Sequence, residues 1–383
     1  MESKWKIYPF GDIVKNLDGK RKPIKSDARQ KGSYAYYGAS GIIDYVEDYI
    51  FEGENLLVSE DGANLTMRTY PIAFIATGKY WVNNHAHVVT AKEGLTTNKF
   101  LEYFFASKDI AEYVTGAAQP KLSQKKLNEI PVPLPSLPEQ QRIVAKLDAL
   151  FERIDRAIAL VAENIENTKH LMASVLNDVF ENRENNDWIE SSLYAEFDVR
   201  DGTHDSPQYL EKEKGHPFVT SKNLKETGLD LTDVKYISES NYIDYNRRSK
   251  VHKGDLLFAM IGTIGNPTIV NIEPNFAIKN VALIKPRDKK HSIDFLRYYL
   301  LSTAVIRKMR DEANGATQKF VGLNYLRNFP FYYPSIEKEK KIVDHLNKVS
   351  QQQQTLLQSQ HLRMAELKQL KSSLLNSAFR GEL

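Results

Sequence analysis

The sequence predicts an α+β protein with a pseudo-twofold internal repeat, two globular domains held apart by an antiparallel pair of long coiled-coil helices. Three observations carry this reading. GAAQPKL (116–122) returns as GATQKFV (315–321), and at the same offset of 199 residues NEIPVPLPSLPEQQRIVAKLDAL (128–150) lies over RNFPFYYPSIEKEKKIVDHLNKV (327–349). Each copy of that junction opens a long run of apolar residues spaced by threes and fours. The segments ahead of the junctions, 1–135 and 183–335, alternate short β-rich runs with Gly, Asn and Asp turns.

In the first segment the strand signals are YGASGIIDYVEDYIF, NLLVSEDGANL, PIAFIATG and HAHVVTA. An aromatic helix is expected over 98–114, and 292–312 repeats it about four residues out of step. Pro138 and Glu139 then suit the first turn of a helix, which the spacing places over 136–182. Its seam is Ile143, Leu147, Leu150, Ile154, Ile158, Val161, Ile165, Thr168, Met172, Val175, Val179, close to the 3.5-residue period of paired helices. Trp5 and Trp188 open the two copies. In the second, HPFVTSKNL, KVHKGDLLFAMIG, NPTIVNI and NVALIKP are the strand signals. A final helix over 336–383 has the seam Ile342, Leu346, Val349, Gln353, Leu357, Gln360, Met364, Leu367, Lys371, Leu374, Ala378. The glutamines of QQQQTLLQSQH fit either a solvated stretch or a polar layer that sets register. Each helix of roughly 40 residues spans about 60 Å. Neither can bury its stripe alone, and pairing with the other copy's helix solves that for both. The antiparallel arrangement is expected because a parallel pair would need the 183–335 domain to bridge the full rod.

Composition removes whole classes of function. The 383 residues include no cysteine, which excludes disulfides, thiolate metal sites and cysteine nucleophiles. A net charge of +3 neither announces nor excludes a nucleic-acid partner. No stretch approaches the roughly 20 apolar residues of a membrane span, so no membrane partner and a cytoplasmic location are expected. No GxxxxGK[ST] or GxGxxG loop, HExxH, nuclease PD…(D/E)xK or methyltransferase NPPY tetrapeptide is present. His85 and His87 form the sole close histidine pair, too few ligands for a metal site. The expectation is a non-catalytic binding protein without cofactor.

The proline-rich junction Pro131–Leu150, YYGASGIIDYVEDYIFEGENLLVSEDGANL (36–65) and DGTHDSPQY (201–209) resemble the specificity subunit of type I restriction–modification enzymes. The likeness covers essentially the whole chain. The second junction departs from the pattern, reading YPSIEKEKKIV. The resemblance implies that 1–135 and 183–335 are target recognition domains, each reading one half of a split, asymmetric site in double-stranded DNA. It also implies that the helices act as a spacer and dock two modification (methyltransferase) subunits, which hold S-adenosylmethionine, and that motor-nuclease restriction subunits join for cleavage. A coiled-coil adaptor that binds only proteins is the competing reading.

Phosphate contacts need local basic clusters, and base contacts need Arg, Asn, Gln, Ser or Thr on loops. In the first domain Lys20, Arg21, Lys22 and Lys25 form such a cluster. Tyr36, Tyr37 and Ser40, then Asn83, Asn84 and His85, are candidates for base or backbone contact. In the second domain the basic candidates are Arg247 and Arg248, and the others are Thr203, His204, Ser221, Asn223, Lys279 and Asn280. The repeated loops add Gln119 and Lys121 in one copy, Gln318 and Lys319 in the other.

Overall fold

The computed structural model describes residues 5–116, 118–181, 188–225, 227–287, 290–315 and 319–383. They fall into two compact units: one runs to Ala162 and adds Leu362–Leu383, and the other is Glu163–His361. The repeat in sequence is therefore not the repeat in space, because each unit takes the end of the other copy's long helix.

In the first unit the strands Val14–Asn16, Ala86–Ala91, Asn55–Ser59 and Ala73–Ala76 lie side by side in that order, all antiparallel. A second sheet runs Gly41–Val46, Lys31–Gly38, Lys79–Val82, Phe51–Glu52, with its middle pair parallel. A short ribbon pairs Lys6–Pro9 with Pro131–Leu134. The second unit repeats the plan with other side chains. Phe197–Asp201, Val281–Pro286, Leu256–Ala259 and Gly265–Ile269 form the first sheet. Lys235–Ile237, His216–Val219 and Ala277–Ile278 form the second, again with one parallel pair. Ile189–Ser192 and Pro330–Tyr333 make the ribbon. Buried strands such as Asn55–Ser59 and Leu256–Ala259 are apolar on both faces because the other sheet or a helix covers each side.

The aromatic helices are shorter than expected. The first is Asn98–Ser107, begun by the Thr97 hydroxyl, which accepts from the Phe100 amide. Its counterpart Ile293–Leu301 starts the same way on Ser292, and leaves the helical region at Ser302 before Thr303–Asp311 resumes. Each packs on the long helices of its own unit. In the first, Phe100 and Phe104 meet Phe379, and Tyr103 meets Phe151. In the second, Phe295 and Tyr299 meet Phe180. Full burial of each such ring contributes about 1.5–3 kcal/mol.

The long helices are Leu137–Glu181 and Ile336–Phe379, and the seam residues of both are buried or half-buried. Inside each unit their strands of contact run antiparallel. In the first, Arg142 reaches the Leu383 carbonyl (2.8 Å) and Asp155 pairs with Lys371 (2.8 Å), so partner numbers fall as central-helix numbers rise. In the second, the Gln360 amide donates to the Thr168 hydroxyl (3.0 Å) and Gln353 donates to the Thr168 carbonyl (2.6 Å). Two of the glutamines thus form a polar layer on a buried threonine, whereas Gln351, Gln352 and Gln354 face solvent.

The two copies join globular part to helix in matching ways. Gln140, fully buried in the first turn of the central helix, accepts from the Thr96 hydroxyl (2.8 Å) and donates to the Leu95 and Pro135 carbonyls. At the equivalent places in the second copy, buried Glu339 faces His291 Nδ1 (2.6 Å), whose other nitrogen faces Glu196 (3.1 Å). Burial pushes the Glu196 carboxyl up, but hydrogen bonds from Lys290, Ser191 and His291 outweigh it and hold its pKa down at about 2. A depressed carboxyl pKa stabilises the fold fully above the unfolded value of 4.5, and that contribution fades as pH falls towards about 2. Glu196→Gln should therefore flatten the decline of the urea midpoint between these pH values. A variant whose midpoint falls as steeply as wild type would refute the assignment.

Candidate nucleic-acid interface

In the first unit the predicted residues gather where one end of the four-stranded sheet meets three loops. The turn after Val14–Asn16 carries Asp18 to Lys25, the turn before Ala86–Ala91 carries Asn83 to His85, and the repeated loop carries Gln119 and Lys121. The last of these is built by Gly116, whose φ of +85° suits glycine and where a Cβ would lie 2.4 Å from the Gln119 carbonyl oxygen. Gly315 repeats it with φ +97°. The loop is docked through main-chain atoms. The Gly62 amide donates to the Pro120 carbonyl (3.0 Å), and the Leu122 amide to the Glu60 carbonyl (2.7 Å). In the second unit Gly262 and Lys319 (3.1 Å), then Val321 and Met260 (2.9 Å), make the same two bonds.

Lys20, Lys22, Lys25, Ser40, Asn84, His85, Gln119 and Lys121 are exposed and available to DNA. His85 Nδ1 lies 2.9 Å from the Asp61 carboxylate, and Lys22 is anchored through its carbonyl by the Trp81 indole (2.6 Å). Three first-domain expectations need correction. Arg21 is turned inward, donating to Glu60 (2.6 Å) and the Ala86 carbonyl (2.8 Å), because a buried carboxylate demands a cation more strongly than solvent does. Tyr36 is wholly buried, its hydroxyl taken by the Ile24 amide (2.9 Å), and Arg29 covers its ring. Asn83 is also buried and shapes the turn by accepting from the His85 amide (2.8 Å). Tyr37 is half-buried, edge-on to Tyr80.

In the second unit the structure brings Thr203, His204, Ser221, Arg248, Lys279 and Asn280 together around buried Asp201. Thr203 bridges to Lys279, His204 lies 2.6 Å from Asn280 Oδ1 and 3.2 Å from Asp201, and Arg248 also reaches Asp201. Ser221 touches the Asn280 carbonyl (3.5 Å), and Lys279 touches Ser206. Asn280 sits at φ +53°, which asparagine tolerates better than most residues. Arg247 stands apart on the solvent side of the helix Glu239–Ser249, paired with Asp244. Asn223 is corrected as well: it is buried, receives Thr220 and donates to the Asp230 and Asp233 carbonyls, so it shapes the loop from inside. Lys319 is exposed, and Gln318 lies outside the described residues.

The sequence reading did not place Asp18, Glu60, His87 or Asp201, the acidic and histidine groups that organise these loops, at the interface. Burial pushes the Asp18 and Glu60 carboxyls up. The bond and charge from His87 at Asp18, and the Arg21 bond, the His87 charge and the Lys121 bond at Glu60, more than offset it and leave both pKa values below the ordinary range. The arrangement can hold an array of donors against an acceptor-rich surface. No set of nucleophile, base and oxyanion donors accompanies it among the described residues. Nor is any helix among them long and apolar enough to cross a membrane.

Comparison with known proteins agrees with the duplicated plan. A model of the type I restriction modification DNA specificity domain matches residues 2–164 and again 174–366. A Haemophilus influenzae protein named as a type I restriction enzyme specificity subunit is 30% identical over 363 residues, covering 91% of this chain and 87% of that protein. Among solved structures, a chain from work on complex assembly and conformational transition of the type I R-M system aligns over 100% of both chains with a TM-score of 0.75 at 21% identity. The crystal structure of the HsdS subunit from Thermoanaerobacter tengcongensis aligns over 100% of this chain and 98% of its own, with a TM-score of 0.63 at 21% identity. A specificity-domain model that matches twice, and a specificity subunit 30% identical over most of both chains, place this chain in the family of type I restriction–modification specificity subunits, as a non-catalytic DNA sequence-recognition subunit.

Proposed function

We propose that 1–135 and 183–335 are two separate target recognition domains, each reading one half of a bipartite, asymmetric site in double-stranded DNA. The observation that carries this is one scaffold with two sets of reading residues. The strand order of the sheet that carries the loops, and the docking of the repeated loop, are the same in both units. The exposed donors are Asn84, His85, Gln119 and Lys121 in one, and His204 and Arg248, with half-buried Lys279 and Asn280, in the other. Equal loops would suit a symmetric site, and unequal loops suit an asymmetric one.

In this reading the helices 136–182 and 336–383 set the gap between half-sites and dock two modification subunits, which motor-nuclease subunits join in the cytoplasm. Exposed Leu160 and Leu171 on the first helix, and Leu356, Leu362 and Leu370 on the second, support a protein-docking role for these surfaces. An adaptor that binds only proteins would have no use for two divergent loop-rich heads. The test is to exchange residues 1–135 for the first domain of another specificity subunit and map methylated adenines in host DNA. One half of the methylated sequence should change and the other stay. If both halves changed, the heads would not be independent readers.

A further inference from the structure

In the first unit three reading loops converge on one acidic side chain. Glu60 follows the strand Asn55–Ser59, and its mostly buried carboxylate lies 2.6 Å from Arg21 and 3.2 Å from Lys121. The Arg21 guanidinium continues to Asp18 (3.3 Å) and to the carbonyl of Ala86. His87, 1% exposed, links Asp18 (2.6 Å) to the Leu122 carbonyl (2.8 Å). The turn at Asp18–Lys25, the turn at His85 and the loop at Gln119–Lys121 are therefore tied to one another through Glu60 and its neighbours.

Among the described residues the second unit lacks this device. Strand register and loop docking make Met260, Ala282 and Phe320 the counterparts of Glu60, His87 and Lys121. Met260 is buried in the apolar core, so there the repeated loop rests on main-chain bonds and apolar packing. Asp201 stands where Asp18 does, but takes Arg248 and His204. Asp18, Glu60 and His87 also offer ligand atoms within 4.8 Å of one another, a spacing compatible with a divalent cation. Arg21 and Lys121 already supply positive charge to Glu60, and His87 Nδ1 is engaged by Asp18. The cluster is neutralised from within, which makes it a brace.

We propose that Glu60 is a positioning residue for the first half-site, fixing Arg21 and Lys121, and with them the His85 turn and the Gln119 loop, in reading geometry without itself touching a base. This rests on the reading of 1–135 as one half-site reader. Pre-organised loops avoid an ordering cost on binding. A carboxylate engaging two cations also keeps them from indiscriminate phosphate contact.

The test uses the chain assembled with its modification subunits, comparing wild type and Glu60→Gln by sequence-resolved methylation and by DNA binding across salt concentrations. With the brace uncharged, discrimination among bases in the first half-site should fall by roughly tenfold, and the second half-site should stay as in wild type. Binding to unrelated DNA should tighten, with a salt slope steeper by about 1 as one more cation reaches phosphate. Wild-type discrimination in the first half, or equal relaxation of both halves, would overturn the proposal. So would a lowered melting temperature with specificity intact, the mark of a merely structural residue. Should Glu60→Gln fail to assemble, Lys121→Met removes the exposed arm of the same brace. It should relax the first half alone, and unchanged specificity there would be equally fatal. The exchange of 1–135 separates the two levels. If it moves neither half, the half-site reading fails. If it moves one half while Glu60→Gln changes nothing, only the brace is wrong.

Discussion

Replacing His291 with leucine should destabilise the second unit by about 3 kcal/mol, the cost of stripping a buried carboxyl of its hydrogen-bond partner. The imidazole stands between two carboxylates, Glu339 (2.6 Å) and Glu196 (3.1 Å). Glu339 is completely buried, and without the ring it retains the Ser292 amide at 3.2 Å. Glu196 keeps Lys290 and Ser191, so the damage falls mainly on Glu339. The first copy shows how to repair it, because Thr96 and Gln140 join the same two elements with no charge. The double change His291→Thr with Glu339→Gln should recover most of the loss. Urea titration of both variants checks this. A double variant no better than His291→Leu would mean that shape, and not the stranded carboxylate, sets the cost.

Phe331→Ala should cost a similar amount, about 3–5 kcal/mol, by opening a cavity in packed aromatic rings. Phe331 is fully buried on the strand Pro330–Tyr333. Its ring meets Phe197 and Tyr299 edge-on, with centroids 5.3 Å away in each case, and stacks on Tyr333 at 5.5 Å. Val132 occupies the equivalent place in the first copy, in a core that also holds the edge-on pair Phe10 and Phe105. Phe331→Val should lose less than alanine but still register, since valine restores only part of the ring's volume. A loss below about 1 kcal/mol for alanine would show that the site collapses to fill the void.

The elements legible in the sequence are those with a period or a repeat behind them. The seam from Ile143 to Val179 could be read because each of its residues faces one side of a helix, and the structure buries that side. The loop pair at 116 and 315 could be aligned because both copies need a glycine at positive φ. The helix Glu239–Ser249 could not be read, since ESNYIDYNRRS has almost no apolar stripe. Its aromatic hold is two tyrosines, Tyr242 stacked on His216 and Tyr245 on Phe218, beside the Arg248 contact to Asp201. Charge clusters misled for the same reason. Arg21 looks like Lys20 and Lys22 from its neighbours, and only a carboxylate 39 residues away turns it inward. Tyr36, Asn83 and Asn223 carry polar atoms suited to DNA, but those atoms are used in holding turns. Residue type discloses what a side chain can bond, and long-range pairing decides what it does bond.

The docking of the repeated loop has a consequence for how new recognition arises. In both copies the loop is pinned by amide-to-carbonyl bonds, Gly62 to Pro120 and Leu122 to Glu60, then Gly262 to Lys319 and Val321 to Met260. Such bonds are blind to the side chains of the residues that make them. A lineage can therefore exchange glutamate for methionine (Glu60, Met260), or proline for lysine (Pro120, Lys319), at these positions and keep the loop in place. Inheritance of the frame is separated from inheritance of the text it reads, so that a mutation in the text is tried on a protein that still folds.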